Sequence, residues 1–171
     1  MKKKEIREWT KKEFEKIHDF IKNKEKLSHY DFLRIRNFKA NNFTYENEEH
    51  IEKVTQQAFI LAKEDKIKEA VIKLLELNGV AVPMASVILA IKFPDKYAII
   101  DVNVLTALNK DDWLKGNKYM KDPQIYEEYL MLIRKKAKDK GVRLRDYERV
   151  LFEGDELKAE AKKGEIKLRK K

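Results

Sequence analysis

The chain contains no cysteine, and its 171 residues include only five glycines and three prolines. Without thiols, disulfides, thiolate zinc sites and iron–sulfur ligation are all excluded. Its three histidines, His18, His29 and His50, are scattered without metal-ligand spacing. No metal or cofactor is therefore expected, and any chemistry falls to other side chains. Long apolar runs are also missing: the longest, near residues 80–91, is well short of the ~20 residues that span a bilayer. The opening "MKKKEIREWTKKEFEKI" reads as a charged amphipathic helix and not as a signal sequence. A soluble cytoplasmic protein with no membrane partner is expected.

Charge is what the chain has in abundance. Charged residues make up 40% of it, and the balance is +9 with an isoelectric point near 9.4. A summed positive potential attracts polyanions, nucleic acid first among them, although basic proteins without such a partner are common. Abundant Lys, Glu and Ile beside three glutamines fits a heat-adapted source, and an AT-rich genome gives the same bias.

The length suits one domain with a single core, and a monomer is expected. Apolar residues recur at helical spacing throughout, which predicts an all-α fold. In "EIREWTKKEFEKIHDFI" the residues Ile6, Trp9, Phe14, Ile17, Phe20 and Ile21 form a stripe expected to face the core. Ile51, Val54, Ala58, Ile60 and Leu61 mark a second helix, and Ile67, Ala70, Val71, Leu74 and Leu75 a third. Pro123 opens another over about 124–138, and "LRDYERVLFEGDELKAEA" adds one or two more. The domain is placed at 1–155. Beyond it, 156–171 loses apolar periodicity and becomes a basic tail, either solvated or an accessory contact with an anion.

The least polar stretch, "LELNGVAVPMASVILAIKFPDKYAIID", is broken at Asn78-Gly79 and ends on an acid. Residues 67–77 predict a helix, 78–82 a tight turn and Pro83 onward a second, more apolar helix. Proline suits a first helical turn, and glycine permits the positive φ that a sharp connection needs. Such a hairpin can offer backbone N–H groups and a helix N-terminus to a phosphate, holding a duplex without reading its sequence. The same pattern also describes an ordinary pair of packed helices in a bundle.

Residues 74–108, "LLELNGVAVPMASVILAIKFPDKYAIIDVNVLTAL", resemble the signature region of the helix-hairpin-helix DNA glycosylases, the superfamily of endonuclease III-like and alkyladenine-excising enzymes. Leu77, Gly79, Val80 and Ala85 match the hairpin, and Pro94, Ile100 and Asp101 match the later loop that carries the family's catalytic aspartate. The resemblance implies an all-helical glycosylase-like domain with the motif over 67–101, duplex DNA as partner and a nucleoid-associated location. Two departures stand out. Ala81 replaces the second hairpin glycine, and Pro83 occupies the position of the Schiff-base lysine of bifunctional members, 18 residues before Asp101.

Breaking a glycosidic bond builds positive charge on the sugar, which an ionised carboxylate stabilises directly or by activating water. Asp101 is the candidate, with a plain helix cap as its alternative role. Candidate DNA contacts are the hairpin residues Asn78, Gly79, Val80, Ala81 and Val82, together with Arg34, Arg36, Lys39, Asn41, Asn42, Arg143 and Arg145. Extracting a base from the stack calls for aromatic fillers. Phe38, Phe43 and Tyr45 in "RIRNFKANNFTY" are the candidates for pocket or wedge, unless they only anchor a loop. "RLRDYER" offers phosphate contacts, or arginines that pair with acids one helical turn away.

The expected function is base excision from damaged or mismatched duplex DNA by hydrolysis, leaving an abasic site uncut. The alternatives are a non-catalytic DNA-binding protein, a helical protein-interaction bundle, or an abasic-site lyase that uses a lysine from elsewhere. For that last role Lys92, Lys96 and Lys110 lie close in sequence, with surface charge as their alternative.

Overall fold

A computed structural model describes residues 3–39 and 45–153, with side chains from residue 8 onward. The described residues are all-helical, without a strand. The calls on Asn41, Asn42, Phe43, the side chain of Ile6 and the tail 156–171 fall outside them.

The order is α1 (Lys3–Ile21), α2 (His29–Lys39), α3 (Glu48–Lys63), α4 (Ile67–Leu74), α5 (Val82–Lys92), α6 (Val102–Ala107), α7 (Asp111–Leu114), a 3-10 turn (Lys115–Asn117), α8 (Lys118–Lys121), α9 (Pro123–Lys140) and α10 (Leu144–Phe152). Local chemistry explains several boundaries. Ser28 and Asp31 form a reciprocal capping box at the start of α2, with Asp31 N–H donating to Ser28 Oγ at 3.2 Å and Ser28 N–H to the Asp31 carboxylate at 2.9 Å. At the start of α9, Asp122 caps Gln124 N–H at 2.9 Å and Pro123 fills the first turn; Gly141, at φ 66°, ends the helix.

Helix α5 lies at the centre and touches α1, α2, α4, α8 and α9. All its residues except Pro83 are buried, as expected of a helix that is apolar on every side. Its last residue, Lys92, is buried too. The Lys92 ammonium donates to the carbonyls of Ile21 at 2.9 Å and Lys22 at 2.8 Å, and also to that of Lys24. It thereby satisfies the carbonyl end of α1, where a cation is favoured. Surface charge, the expected alternative for this lysine, is thus corrected.

The stripe on α1 is only partly core. Phe14, Ile17 and Ile21 are buried, but Trp9 is 53% and Phe20 47% exposed, because α1 packs on α2 and α5 and leaves its flank outside. Phe20 meets the exposed Tyr30 edge to face at 6.3 Å. Ile60, on the outer side of α3, is likewise exposed. Helix α4 stops three residues earlier than the pattern predicts. The chain then continues through turns closed by Leu77 N–H to Leu74 O and Val80 N–H to Leu77 O.

Candidate functional site

Residues 97–101 form an irregular segment between α5 and α6, with Tyr97, Ala98, Ile99 and Ile100 buried. A buried, non-helical segment must find a partner for each backbone polar group. Here side chains from three helices supply them. Tyr126 and Tyr129 of α9 donate their hydroxyls to the carbonyls of Ala98 (2.9 Å) and Ile99 (2.6 Å). Ile100 N–H donates to Ser86 Oγ of α5 at 3.1 Å, and Ile99 N–H to the Glu148 carboxylate of α10. Tyr97 anchors the start of the segment by donating to Ala62 O at 3.0 Å.

This strap delivers Asp101 to the N-terminus of α6. The Asp101 carboxylate accepts Val104 N–H at 2.9 Å, so the capping role holds. Its other oxygen lies 3.9 Å from Lys39 Nζ; the Lys39 and Asp101 side chains are 29% and 14% exposed. Both border a cleft of about 280 Å³, together with Phe38, Ile99, Arg145, Glu148 and Phe152. That volume sits near the lower end of small-molecule pockets, roughly 300–1,000 Å³.

The structure therefore brings four separate candidates together: Asp101, Lys39, Phe38 and Arg145. Phe38 is half-buried and packs edge-on against Phe14 at 6.1 Å, so it both anchors α2 and walls the cleft. Arg145 lies over the Phe14 ring at 3.9 Å and pairs with Glu148 one turn on. Arg143 is turned outward and pairs with Asp146 at 2.8 Å. The pairing alternative thus accounts for both arginines.

Other candidates stand apart. Arg36 is 3% exposed, with its guanidinium over the Phe32 ring, and cannot meet a phosphate at the surface. Arg34 pairs with Glu13 at 3.4 Å and borders a second groove with Trp9, Tyr30 and Leu33. Tyr45 is exposed beside the hairpin, where its carbonyl accepts from Asn78 Nδ2 at 3.4 Å, and it does not line the Asp101 cleft.

At the hairpin, Gly79 adopts φ 72° as the turn demands. Asn78 and Gly79 are exposed, Ala81 half-buried, and Val80 and Val82 buried. One hairpin donor is already committed: Asn78 N–H donates to the Glu46 carboxylate at 2.8 Å. Burial works to raise the Glu46 pKa, but hydrogen bonds from Asn78 N–H, His50 and Asn47 N–H outweigh it and hold the group below the usual glutamate range. A phosphate approaching Asn78 meets a fixed negative charge.

Glu148 and Ser86 are the site residues that sequence reasoning missed. Burial pushes the Glu148 carboxyl above the usual glutamate range, against the pull of Arg145 and Ile99 N–H, and the charge on Asp101 pushes the same way. Two acids thus share the cleft, one enclosed and one open to the mouth. Glu148 stands three residues after Arg145 inside "LRDYERVLF", and that spacing was its one visible sign. Ser86 Oγ donates to Pro83 O at 2.6 Å while accepting Ile100 N–H, and so ties the first turn of α5 to the strap.

Among the described residues, no group of three or more His, Asp or Glu side chains could hold a metal ion, and no helix is long and apolar enough to cross a membrane. Comparison with protein-family models, curated proteins and solved structures finds no match.

Proposed function

We propose that this protein is a helix-hairpin-helix DNA glycosylase-like enzyme that removes a damaged or mismatched base from duplex DNA by hydrolysing its N-glycosidic bond. The observation that carries this reading is Asp101. Its carboxylate has one oxygen fixed by the α6 cap and the other presented to a cleft with an aromatic wall and a cationic rim. A carboxylate so placed stabilises positive charge growing on the sugar, or takes a proton from the attacking water. Its orientation is set before substrate arrives, because the strap that carries it is tied to α5, α9 and α10.

Phe38 would stack on an extruded base, and the strand at the cleft would meet Lys11, Lys39 beside Asp101 and Arg149, which pairs with Glu153 at 3.5 Å. Glu148 holds Arg145 and Ile99 in place. The hairpin contributes through Gly79 and Ala81 rather than through Asn78, whose N–H is engaged.

The test is a panel of end-labelled duplexes bearing uracil, hypoxanthine, 8-oxoguanine or an alkylated base, scored for base release by alkali-induced strand scission. Release from at least one duplex by the wild type, and from none by Asp101→Asn, is the expected result. Binding without release from any member leaves a DNA-binding protein and removes the hydrolase.

A further inference from the structure

We infer that the groove between α1 and α2 is a second nucleic-acid site, which stacks an unpaired base beside the nucleotide in the Asp101 cleft. The protein therefore favours DNA with unpaired bases over a fully paired duplex. The identity of the ligand rests on the proposed action on DNA; the groove itself takes no part in hydrolysis.

The groove has a volume of about 390 Å³. Its α2 wall is Tyr30, Leu33, Arg34 and Asn37, which recur at i, i+3, i+4 and i+7 and so share one face of the helix. Trp9 and Glu13 border it from α1. A stripe at that spacing ordinarily packs against a neighbour, yet none of these four residues is buried. Trp9 and Tyr30 are both more than half exposed. Phe20 extends the patch, meeting Tyr30 edge to face at 6.3 Å and lying under the Arg34 guanidinium at 5.5 Å. Large aromatics gathered on one open face mark a binding surface.

The chemistry of the groove matches a nucleobase. Aromatic rings offer a stacking surface, and Arg34, Asn37 and Glu13 set hydrogen-bonding groups along the same groove. A base has the same division, an apolar face with a polar edge. The Arg34 guanidinium is planar and stacks as well as it hydrogen-bonds, and Glu13 holds it at 3.4 Å. The net charge of +9 attracts the phosphates of a strand. Continuity points the same way: Phe38 borders both this groove and the Asp101 cleft, so the two sites adjoin. A base stacked in the groove has left its own stack and its pairing partner. That step costs least where the bases beside the lesion are already unpaired, as in a bulge or a single strand.

The experiment measures fluorescence anisotropy of the full chain with four labelled probes: oligothymidylate, a baseless sugar–phosphate oligomer of the same length, a paired duplex, and that duplex with a bulge of unpaired thymidines. Oligothymidylate should bind more tightly than the baseless oligomer, and the bulged duplex more tightly than the paired one. Trp9→Ala and Tyr30→Ala should each weaken oligothymidylate binding about fivefold or more, and Trp9→Phe, which keeps a ring, should retain most of it. Melting temperatures verify that the variants are folded. Met131→Ala removes a comparably exposed apolar side chain on α9 and should change nothing. Of the two tryptophans, Trp113 is removed by Trp113→Phe, and the remaining Trp9 emission should be quenched by oligothymidylate.

Equal affinity for oligothymidylate and the baseless oligomer, wild-type affinity in Trp9→Ala and Tyr30→Ala, or Trp9 emission unmoved at saturation overturns the inference. So does a dimer that Trp9→Ala converts to a monomer in sedimentation, since the groove is then a contact between copies of the chain. Base release from the lesion panel alongside any of these results removes the groove alone and leaves the glycosylase standing. Base-dependent binding through Trp9 and Tyr30 without release from any lesion upholds the groove and removes the hydrolase. Failure to bind any of the probes overturns both.

Discussion

Asp101 caps α6 and is the proposed catalytic carboxylate, and two substitutions separate these roles. Asp101→Ala deletes the acceptor for Val104 N–H and the ion pair with Lys39. Loss of an N-cap side chain costs about 1 kcal/mol. The ion pair is partly exposed and is worth about 0.5 kcal/mol. Together these lower the melting temperature by about 3–6 °C for a chain of this length. Asp101→Asn keeps a capping oxygen and loses only the ion pair, so its melting temperature falls by about 1–2 °C. Catalysis should not follow stability. Neither variant carries the charge needed as the sugar becomes cationic, so base release should fall at least about a hundredfold in both. Removing a negative charge at the cleft mouth should leave duplex affinity intact or higher, measured by fluorescence anisotropy. Thermal melts and single-turnover release on the same preparations decide the matter. Wild-type release by Asp101→Asn would reduce Asp101 to a cap, and equal melting temperatures for the two variants would refute the cap.

Other consequences can be checked independently. Affinity for duplex DNA should fall steeply with added salt, because lysine and arginine contacts to phosphate release counterions; a flat response removes nucleic acid as partner. Gly79→Val places a β-branched residue at φ 72°, at a cost of about 1–3 kcal/mol, and should weaken binding to all sequences alike; if unfolding accounts for the whole loss, the hairpin is only structural. Tyr129→Phe leaves the buried Ile99 carbonyl without its 2.6 Å partner and should cost about 1–3 kcal/mol in urea unfolding, with base release falling as Asp101 loses its support; unchanged release shows that the strap needs no such pin. Alkali should unfold the protein through its buried tyrosines. Burial pushes Tyr97 from 10.0 up to about 12 and raises Tyr126 and Tyr129 well above 10.0. The unfolded chain therefore releases those protons first. Their stabilisation is complete below pH 10 and is lost as pH rises toward 12, about 2 kcal/mol from Tyr97 alone, and a urea midpoint constant across that range would contradict it.

How much of this was legible in the sequence depended on the range of the interaction involved. Helix periodicity, Pro123, Gly79 and the Asp101 cap are local signals, and apart from the early end of α4 each stands where the pattern placed it. The α1 stripe misled at Trp9 and Phe20, because apolar spacing does not reveal how wide a face the neighbouring helices cover. Arg36 misled for a related reason: a basic residue among aromatics reads as surface, but this one turns inward over Phe32. The approach of Lys39 to Asp101 joins positions 62 residues apart, and nothing local announces it. Glu148 and Ser86 were hidden in the same way, since their roles follow from which backbone groups of the strap need partners.

The segment that prompted the functional reading also explains its own composition. An irregular run crossing a helical core leaves carbonyls and N–H groups unpaired unless side chains reach them. The carbonyls of Ala98 and Ile99 are met by neutral tyrosine hydroxyls, which satisfy them without bringing another charge near Asp101. The one charged partner, Glu148, is balanced by Arg145 and enclosed from solvent. The flanking apolar residues keep water from competing for these bonds. What reaches the cleft mouth is then a carboxylate and an amine held 3.9 Å apart on separate helix ends. The strap is apolar so that its backbone bonds stay dry, and it ends on an acid because α6 begins there. That one junction supplies both a cap and a charge at the edge of the cleft.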